Sequence, residues 1–324
     1  MDFAQKVVRW QRRHGRRNLP WQGTRDPYRI WLSEVMLQQT QVSTVIPYYR
    51  RFTAKYPTAR ALARASEEQV LELWSGLGYY ARGRNLHRAA RRIAAQGFPR
   101  SAQEIAQLPG VGRSTAAAIA AFAYGERAAI LDGNVKRVLS RVFGVSDEKA
   151  LWPLAERLLP PRAIETYTQG LMDLGATVCT RRLPTCERCP LAEACVARKQ
   201  DRIAELPPPR RRRELPQKEV TWLVLRHDGA VRLERRPAPG IWGGLWCPPE
   251  LNGKRPRNAR RLPAIEHGFT HFRLRIQPLL CDVPKRTAGR WLKIAEAGRA
   301  ALPAPVKALL GRLSATAHSR ARGA

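Results

Sequence analysis

Apolar residues recur at helical spacing through the first two hundred positions of the chain. Val42, Val45, Ile46, Tyr49 and Phe52 would share one face of a helix, because residues three or four positions apart lie on the same side of it. No long alternating run, which would indicate a strand, interrupts this part of the chain. We therefore predict that residues 1–200 form an all-α domain.

Helix starts in this domain are marked by two capping boxes, in which side chains satisfy the exposed amides of a first turn. They occupy residues 66–69 (Ser-Glu-Glu-Gln) and 101–104 (Ser-Ala-Gln-Glu). Prolines, among them Pro20, Pro27 and Pro99, mark turns between the predicted helices. The domain should therefore consist of short helices.

The apolar period changes to two after position 217. Val220–Leu225 and Val231–Arg235 are predicted strands joined by a turn at 227–229, and Phe272–Ile276 alternates cleanly. Residues Pro305–Leu313 return to helical spacing. These patterns predict a small α+β domain over residues 218–312.

Two segments follow neither period. Residues 201–217 include the run LPPPRRRRELP, whose prolines favour an extended linker and whose four arginines could follow a phosphate backbone. Residues 313–324 are small, polar and basic, so we expect a disordered tail there.

The charge of the chain indicates a polyanionic partner. It has 58 Lys and Arg residues against 26 Asp and Glu, for a net charge of +32 divided between both predicted domains. Such an excess is typical of nucleic-acid binding, although a generally arginine-rich surface would account for part of it. The N-terminal helix has no apolar signal core, and Ala116–Tyr124 is too short to cross a bilayer, so we expect no membrane association.

Four of the six cysteines lie in one short run: Cys179, Cys186, Cys189 and Cys195, spaced C-x6-C-x2-C-x5-C. Thiolates bind soft metal centres, so an iron–sulfur cluster and a four-cysteine zinc site both fit this donor set. The spacing differs from the ferredoxin run and from zinc fingers, which favour two close pairs. Two disulfides fit poorly, because nothing marks the chain as secreted.

A glycine-rich turn, LPGVGRST, occupies residues 108–115 and precedes an Ala-rich segment. Gly110 and Gly112 would allow left-handed backbone and leave amides unshielded. Successive amides at a helix N-terminus can bind one phosphate without reading a base. An ordinary tight turn between two helices is the alternative interpretation.

Four further segments resemble motifs of the adenine DNA glycosylases, the MutY-type branch of the endonuclease III superfamily. They are residues 31–42 (WLSEVMLQQTQV), 74–82 (WSGLGYYAR), 131–138 (LDGNVKRV) and 171–175 (LMDLG). The cysteine spacing is similar to the [4Fe–4S] loop of the same superfamily. The resemblance covers nearly the whole chain. It implies a multi-domain protein with an all-α helix-hairpin-helix glycosylase domain and one [4Fe–4S] cluster at residues 179–195. The implied substrate is double-stranded DNA with adenine mispaired with 8-oxoguanine or guanine.

Removal of a base requires an acid that protonates it and a carboxylate that stabilises the positive sugar. By resemblance, Glu34 is the acid, Asp132 is the electrostatic stabiliser and Asn134 orients the site, with no catalytic metal. Apolar neighbours of Glu34 in the sequence should raise its pKa by desolvation. Taken singly, each carboxylate would be interpreted as a solvated surface group.

Ser114 stands where bifunctional superfamily members carry a lysine that attacks the sugar. A serine cannot form that imine, so the resemblance implies a monofunctional enzyme that leaves an abasic site. The target base must also leave the duplex, and by resemblance Gln39 and Tyr79 fill the gap. The predicted DNA contacts are Gln38, Gln39, Tyr79, Leu108, Gly110, Val111, Gly112 and Ser114. A buried core aromatic is the competing interpretation of Tyr79.

Residues 218–312 resemble the Nudix-like C-terminal domain of the same family, through GIWGGLW at 240–246 and FTHF at 269–272. The glutamate-rich hydrolase signature is missing from the sequence, so diphosphate cleavage is not expected. Phe269, Thr270 and His271 match the family's Phe-Ser-His loop, which checks for 8-oxoguanine. Thr270 departs from it by one methyl group, and a polar strand end is the alternative for Thr270 and His271.

Two other functions compete with this prediction. A related glycosylase that acts on thymine in G·T pairs or on oxidised pyrimidines would share the fold, although Ser114 and the second domain argue against a pyrimidine lyase. A non-catalytic iron–sulfur module or redox sensor would not need both carboxylates in their full motifs.

We expect a monomer in the cytoplasm, associated with the nucleoid.

Overall fold

The computed structural model describes residues 2–208, 214–237 and 240–321. The chain divides into two compact units. The first unit runs to Arg64 and resumes at Asn85, and the second combines Ala65–Arg84 with the C-terminal part of the chain. The linker arginines at 210–213, which we expected along a phosphate backbone, lie outside the described residues.

The first unit is helical, and its described residues contain no strand. Its helices are α1 (Phe3–His14), α2 (Pro27–Leu37), α3 (Val42–Lys55), α4 (Ala59–Arg64), α7 (Ala102–Ile105), α8 (Arg113–Tyr124), α9 (Gly133–Phe143), α10 (Glu148–Arg157), α11 (Ile164–Thr177) and α12 (Val196–Lys199). Helix α5 (Glu67–Trp74) belongs to the second unit, and α6 (Tyr80–Gln96) begins there and continues into the first.

The helices begin where the sequence places caps. Ser66 and Ser101 both form the predicted capping boxes, with reciprocal bonds to Gln69 and Glu104. Helix α3 buries Val45, Tyr49 and Phe52, which confirms its predicted apolar face. Local sequence thus determines where α5 and α7 begin.

Close helix packing shapes the core of the first unit. Helices α1, α8, α9 and α11 bury residues such as Val7, Ala118, Val138 and Leu171 in one apolar cluster. A Cβ atom added at Gly170 would lie 2.8 Å from the Val7 side chain, so a glycine there lets α11 approach α1 closely. The same helix approaches α9 at a second glycine, which bears on the site below.

The second unit is built on a mixed sheet. Its strands are β1 (Gln217–His227), β2 (Ala230–Arg235), β3 (Trp246–Cys247), β4 (Arg260–Arg261), β5 (Ile265–Gly268), β6 (Arg273–Asp282) and β7 (Arg290–Lys293). The order is β3-β2-β1-β6-β4, with β5 also paired to β6 and β7 to β2. Strands β1 and β6 are parallel, from Gln217 opposite Arg273 to Arg226 opposite Asp282.

The predicted hairpin between β1 and β2 is present, and it turns at Asp228 and Gly229. Helix α13 (Ala304–Ala321) covers the sheet with Val306, Leu309 and Leu313. It continues over most of the segment in which we expected a disordered tail. No Gly or Pro occurs between Ser314 and Ala321, and the alanines there favour a helix.

Residues 65–84 differ from the predicted organisation, which placed them in a domain over residues 1–200. They join the second unit because α5 contributes Leu71 to a buried cluster with Leu245 and Ala301. Cys247 and Cys281 are buried in this unit, where they pack as small core residues. None of the helices in the described part of the chain is long and apolar enough to span a bilayer.

Candidate active site

Glu34 lies on α2, whose faces bury Trp31, Leu32, Val35 and Met36. Burial raises the pKa of the Glu34 carboxyl to about 8, and the nearby negative charge of Asp132 adds to that rise. The predicted desolvation is therefore present. A carboxyl with this pKa holds its proton at neutral pH and can donate it.

Asp132 caps the N-terminus of α9. Its Oδ1 accepts hydrogen bonds from the backbone amides of Asn134 at 3.0 Å and Val135 at 2.8 Å. Burial raises the pKa of Asp132, and these amides and the positive charges of Arg137 and Lys136 oppose that rise without cancelling it. The helix start thus places a second carboxyl group in the site, with donors and cations that favour its ionised form.

Asn134 lies in the first turn of α9, where Arg137 Nη2 donates to its side-chain oxygen at 2.9 Å. The same Arg137 nitrogen donates to the carbonyl of Gly175 at 2.6 Å. A Cβ atom added at Gly175 would lie 2.6 Å from Asn134 Cβ and 3.0 Å from its carbonyl carbon. Only a glycine in α11 therefore allows the observed approach of α9.

The hairpin joins α7 to α8. Gly110 is left-handed, with φ of +79°, and a Cβ atom there would lie 2.8 Å from Asn85. Gly112 is extended instead, with φ of −89°, so our expectation of left-handed backbone is wrong at this position. Gly112 is the N-cap of α8, and no side chain caps that helix. The first amides of α8 are accordingly available to an anion.

Gln38 links the segment after α2 to this hairpin. Its Nε2 donates to Gly110 O at 3.2 Å and to Thr115 Oγ1 at 3.3 Å. Gln39 next to it is exposed and has φ of +55°, a conformation that non-glycine residues rarely adopt. Tyr79 in the second unit is similarly left-handed, with φ of +47°, and it is 52% exposed. The alternative of a buried core aromatic is thereby wrong for Tyr79.

Ser114 follows the hairpin in the first turn of α8. Its Oγ accepts a hydrogen bond from the Leu131 amide at 2.9 Å. Leu131 immediately precedes Asp132, so this hydroxyl holds the segment that places the carboxylate. Sequence reasoning assigned Ser114 to DNA contact and did not identify this bond.

One large cleft of about 1990 Å³ brings most of these residues together. Glu34, Asp132 and Asn134 line it, together with Gln38, Gln39, Gly112 and Ser114. Its cationic lining residues are Arg16, Lys136, Arg137, Arg141, Arg181 and Arg182. The predicted acid and the predicted stabiliser therefore share a cleft whose charge suits a polyanion.

The sequence did not reveal a buried network on the wall of this cleft. Asp173 on α11 is fully buried and binds Arg16 through the backbone amide at 2.8 Å and the guanidinium at 2.6–2.8 Å. Gln169 Nε2 donates to the same carboxylate at 2.8 Å. Arg16 and Gln169 both line the cleft. Asp173 lies within a quoted motif, but its partner is 157 residues away, so no local signal connects them.

The four clustered cysteines line one small cavity, whose wall includes Val138, Val142, Val178 and Ile203. Burial and the neighbouring thiols raise the pKa of Cys189 to about 11. None of the six cysteines forms a disulfide. In the described part of the chain, no group of three or more metal-ligating side chains has the arrangement a metal ion requires. The features of these residues that suit an iron–sulfur cluster are therefore the apolar cavity that they share and their four soft sulfur donors.

Two arginines of α9 bind the loop that carries these cysteines. Arg141 is buried and donates to Cys179 Sγ at 3.5 Å, to Thr180 O at 2.7 Å and to Arg181 O at 3.0 Å. Arg137 Nε donates to Cys179 O at 2.7 Å. The helix that begins at Asp132 is therefore joined to the cysteine loop.

Phe269, Thr270 and His271 lie in the turn between β5 and β6. The turn closes with a hydrogen bond from Phe269 N to Phe272 O at 2.9 Å, and the two phenyl rings stack at 4.5 Å. Thr270 and His271 are exposed in it. The two residues adjoin the ends of β5 and β6, as the alternative of a polar strand end also predicts.

Comparisons with known proteins agree with these two units. The sequence model of HhH-GPD superfamily base excision DNA repair proteins matches residues 32–160, and that of the NUDIX domain matches residues 220–312. An adenine DNA glycosylase of Buchnera aphidicola from Acyrthosiphon pisum is 34% identical, over 95% of this chain and 96% of that protein. The human adenine DNA glycosylase is 34% identical, over 94% and 72% respectively.

The chain belongs to the adenine DNA glycosylase family. It is a base excision repair glycosylase for adenine. The family predicted from the sequence motifs is thereby confirmed.

Solved structures resemble the helical part of this glycosylase. A thermostable thymine-DNA glycosylase has a TM-score of 0.57 and 33% identity, over 61% of this chain and 95% of that one. An endonuclease III–DNA complex has a TM-score of 0.54 and 22% identity, over 62% and 99%, which shows the fold alone. The predicted fold class, a helix-hairpin-helix domain followed by an α+β Nudix-like domain, is thereby confirmed.

Proposed function

We propose that this glycosylase removes adenine mispaired with 8-oxoguanine or guanine and leaves an abasic site, with weak or no cutting of the strand. The observation that carries the proposal is the pair of carboxyl groups in the cleft. Burial raises the pKa of both carboxyl groups, that of Glu34 to about 8, so Glu34 is protonated at neutral pH; helix amides and two cations oppose the rise at Asp132. Glycoside cleavage requires two carboxyl groups with separate roles, one as acid and one as carboxylate, and we assign these roles to Glu34 and Asp132.

The chemistry assigned to these residues proceeds in two steps. Glu34 donates its proton to a ring nitrogen of the flipped adenine, N7 in our proposal, as the bond between N9 and the sugar C1′ breaks and its electrons pass to the base. The positive sugar is then stabilised by the Asp132 carboxylate. Water adds at C1′, and ionised Glu34 can take up the proton that the water releases. Asn134 and Arg137 keep the start of α9 in place.

DNA binding is assigned to the cationic cleft and to the hairpin. The uncapped start of α8 would bind one phosphate, and Gln38 would fix the hairpin beside the Gln39 segment. Gln39 and Tyr79 would enter the gap left by the flipped base. Backbone strain at both positions supports this role, because non-glycine residues retain such conformations mainly where function requires them.

Weak or no lyase activity is inferred from Ser114. The hydroxyl accepts a bond from the Leu131 amide, so this position supports the active site and offers no amine for attack on the sugar. A duplex treated with the enzyme should therefore break only after alkali.

Lesion recognition is assigned to the exposed turn with Phe269, Thr270 and His271. Hydroxyl and imidazole groups there could form hydrogen bonds with 8-oxoguanine. The added methyl group of Thr270 should leave less space for the lesion base than a serine would. Replacing Thr270 by Ser tests this assignment, and we expect a preference for 8-oxoguanine at least equal to that of the unmodified chain.

A [4Fe–4S] cluster is the group we assign to Cys179, Cys186, Cys189 and Cys195. Their apolar cavity and the Arg141 N–H bond to Cys179 Sγ support this assignment, since such bonds tune cluster sulfur. The cluster would stabilise the loop bound by Arg137 and Arg141. Purified protein should be brown, and colourless active protein containing zinc would refute the assignment.

A single-turnover assay of adenine release tests the function. Duplexes with A·8-oxoguanine, A·G and A·T pairs are compared with and without alkali, and we expect A·8-oxoguanine to react fastest. A G·T duplex tests the second candidate, since the thymine-DNA glycosylase structure is 33% identical to this chain. Release of thymine without release of adenine would overturn the proposal. We also propose that the enzyme acts on DNA as a monomer, associated with the nucleoid.

A further inference from the structure

Glu68 on α5 makes a three-residue contact with the sheet of the second unit. Its Oε1 accepts a hydrogen bond from Trp246 Nε1 at 2.8 Å. The same oxygen forms an ion pair with Arg290. The Arg290 guanidinium also lies 4.6 Å from the centre of the Trp246 ring. Burial raises the pKa of Glu68, but the bonds from Arg290 and Trp246 lower it more, so the carboxylate is ionised. We name Glu68, Trp246 and Arg290 the clasp.

The contact continues along the segment that follows α5. Ser75 Oγ and Tyr80 OH both donate to Leu302 O, at 3.2 and 3.1 Å. Arg84 donates to Gly243 O. The loop between α5 and α6 is thus attached at both of its ends to residues of the C-terminal part of the chain.

The loop itself is held in one conformation. Trp74 Nε1 donates to Gly78 O at 3.0 Å, and Arg82 Nη2 donates to Leu77 O at 3.3 Å. The Arg82 guanidinium lies 5.4 Å from the ring centres of both Trp74 and Tyr79. These bonds leave Tyr79 exposed in its left-handed conformation.

Tyr79 then faces the turn that we assign to lesion recognition. Its hydroxyl lies 3.5 Å from Thr270 Oγ1. Phe269 precedes Thr270 in the turn and anchors it. The centre of the Phe269 ring lies 5.6 Å from that of Trp242 and 4.8 Å from that of His267. The separation of the two hydroxyls is therefore set by two supports, and the clasp is the one on the Tyr79 side.

We propose that Glu68, Trp246 and Arg290 are positioning residues for specificity, which hold Tyr79 at the distance from Thr270 that 8-oxoguanine requires. The inference rests on the proposed function. Glu34 and Asp132 belong to the first unit and the clasp to the second, so the clasp should govern which opposite base is accepted and leave the chemical step unchanged. Breaking it should lower excision opposite 8-oxoguanine and leave excision opposite guanine unaffected.

The test compares single-turnover rates of Glu68→Gln on A·8-oxoguanine and A·G duplexes. We expect the ratio of the two rates to fall about tenfold, the equivalent of one lost charged hydrogen bond. Asp282→Asn is the matched control, because it removes one carboxylate that pairs with Arg226 in the same unit. It should leave the ratio unchanged. If Glu68→Gln does not fold, Trp246→Phe tests the same contact, because it removes the indole N–H donor together with part of the ring, and the same fall in the ratio is expected.

A double-mutant cycle with Thr270→Ala separates positioning from general loosening. If the clasp acts through the Tyr79–Thr270 distance, Glu68→Gln should cause no further loss of the ratio in the Thr270→Ala background. Additive effects, an unchanged ratio, or equal losses on both duplexes would each overturn the inference. Failure of the proposed function would appear instead in the unmodified chain, as no adenine release from either duplex.

Discussion

Glu34 and Asp132 both place a carboxyl group in one cleft, and Glu34 is the group that keeps its proton at neutral pH. Burial raises the pKa of Glu34 to about 8, and the charge of Asp132 adds to the rise. Burial raises the pKa of Asp132 as well, but the backbone amides at the start of α9 oppose that rise, which favours Glu34 as the donor.

This relationship predicts the pH dependence of adenine release. The single-turnover rate should stay level up to about pH 8 and fall about tenfold per pH unit above it, because the ionised acid has no proton to give. Glu34→Gln should reduce the rate by about 10²–10⁴-fold while it still binds the mismatched duplex. Normal turnover by this variant would show that Glu34 is not the acid.

The same pKa predicts an effect on stability. The folded state holds the Glu34 proton up to about pH 8, whereas the unfolded chain releases it near 4.5, so stability is lost as pH rises through this window. At pH 7 the free energy of unfolding is lower by about 3 kcal/mol than below pH 4.5, at about 1.4 kcal/mol per pH unit. Glu34→Gln should therefore have the higher melting temperature at pH 7 and lose that advantage below pH 4.5. The same difference in melting temperature between the two proteins at both pH values would contradict a raised pKa of Glu34.

Ser114→Ala tests the support of Asp132. The variant leaves the Leu131 amide without its acceptor, and an unpaired buried donor costs about 1–3 kcal/mol. Adenine release should slow while the affinity for mismatched DNA changes little, as measured by single-turnover rates and equilibrium binding. Ser114→Thr keeps a hydroxyl and should recover most of the rate. Equal losses in both variants would mean that the hydroxyl bond is not the cause.

Local features were the ones that could be predicted from the sequence. Capping boxes at Ser66 and Ser101, the apolar face of α3 and the hairpin at Asp228 depend on residues close in sequence, and the structure contains each of them. The high pKa of Glu34 was predictable for the same reason, since its desolvating neighbours include residues beside it in α2.

Features that join distant residues were not predictable in this way. Asp173 pairs with Arg16 across 157 positions, and neither residue marks the other in the sequence. The assignment of residues 65–84 to the second unit follows from contacts of Glu68 and Leu71 with residues beyond position 240. A helix such as α5 shows its apolar face in the sequence, but it does not show which partner covers that face.

Gly175 provides the sharpest test of the geometry around Asn134. Gly175→Ala would place a Cβ atom 2.6 Å from Asn134 Cβ and 3.0 Å from its backbone, so the start of α9 must move. Overpacking of this kind costs about 1–3 kcal/mol of stability, and here it should also displace Asp132 and slow adenine release. Gly170→Ala is the matched control on the same helix, because its Cβ would meet Val7 of α1 at 2.8 Å. Both variants should melt at lower temperature, but only Gly175→Ala should lose activity at a temperature where both are folded. If the two variants lost activity equally, helix packing in general, and not the position of α9, would control the active site.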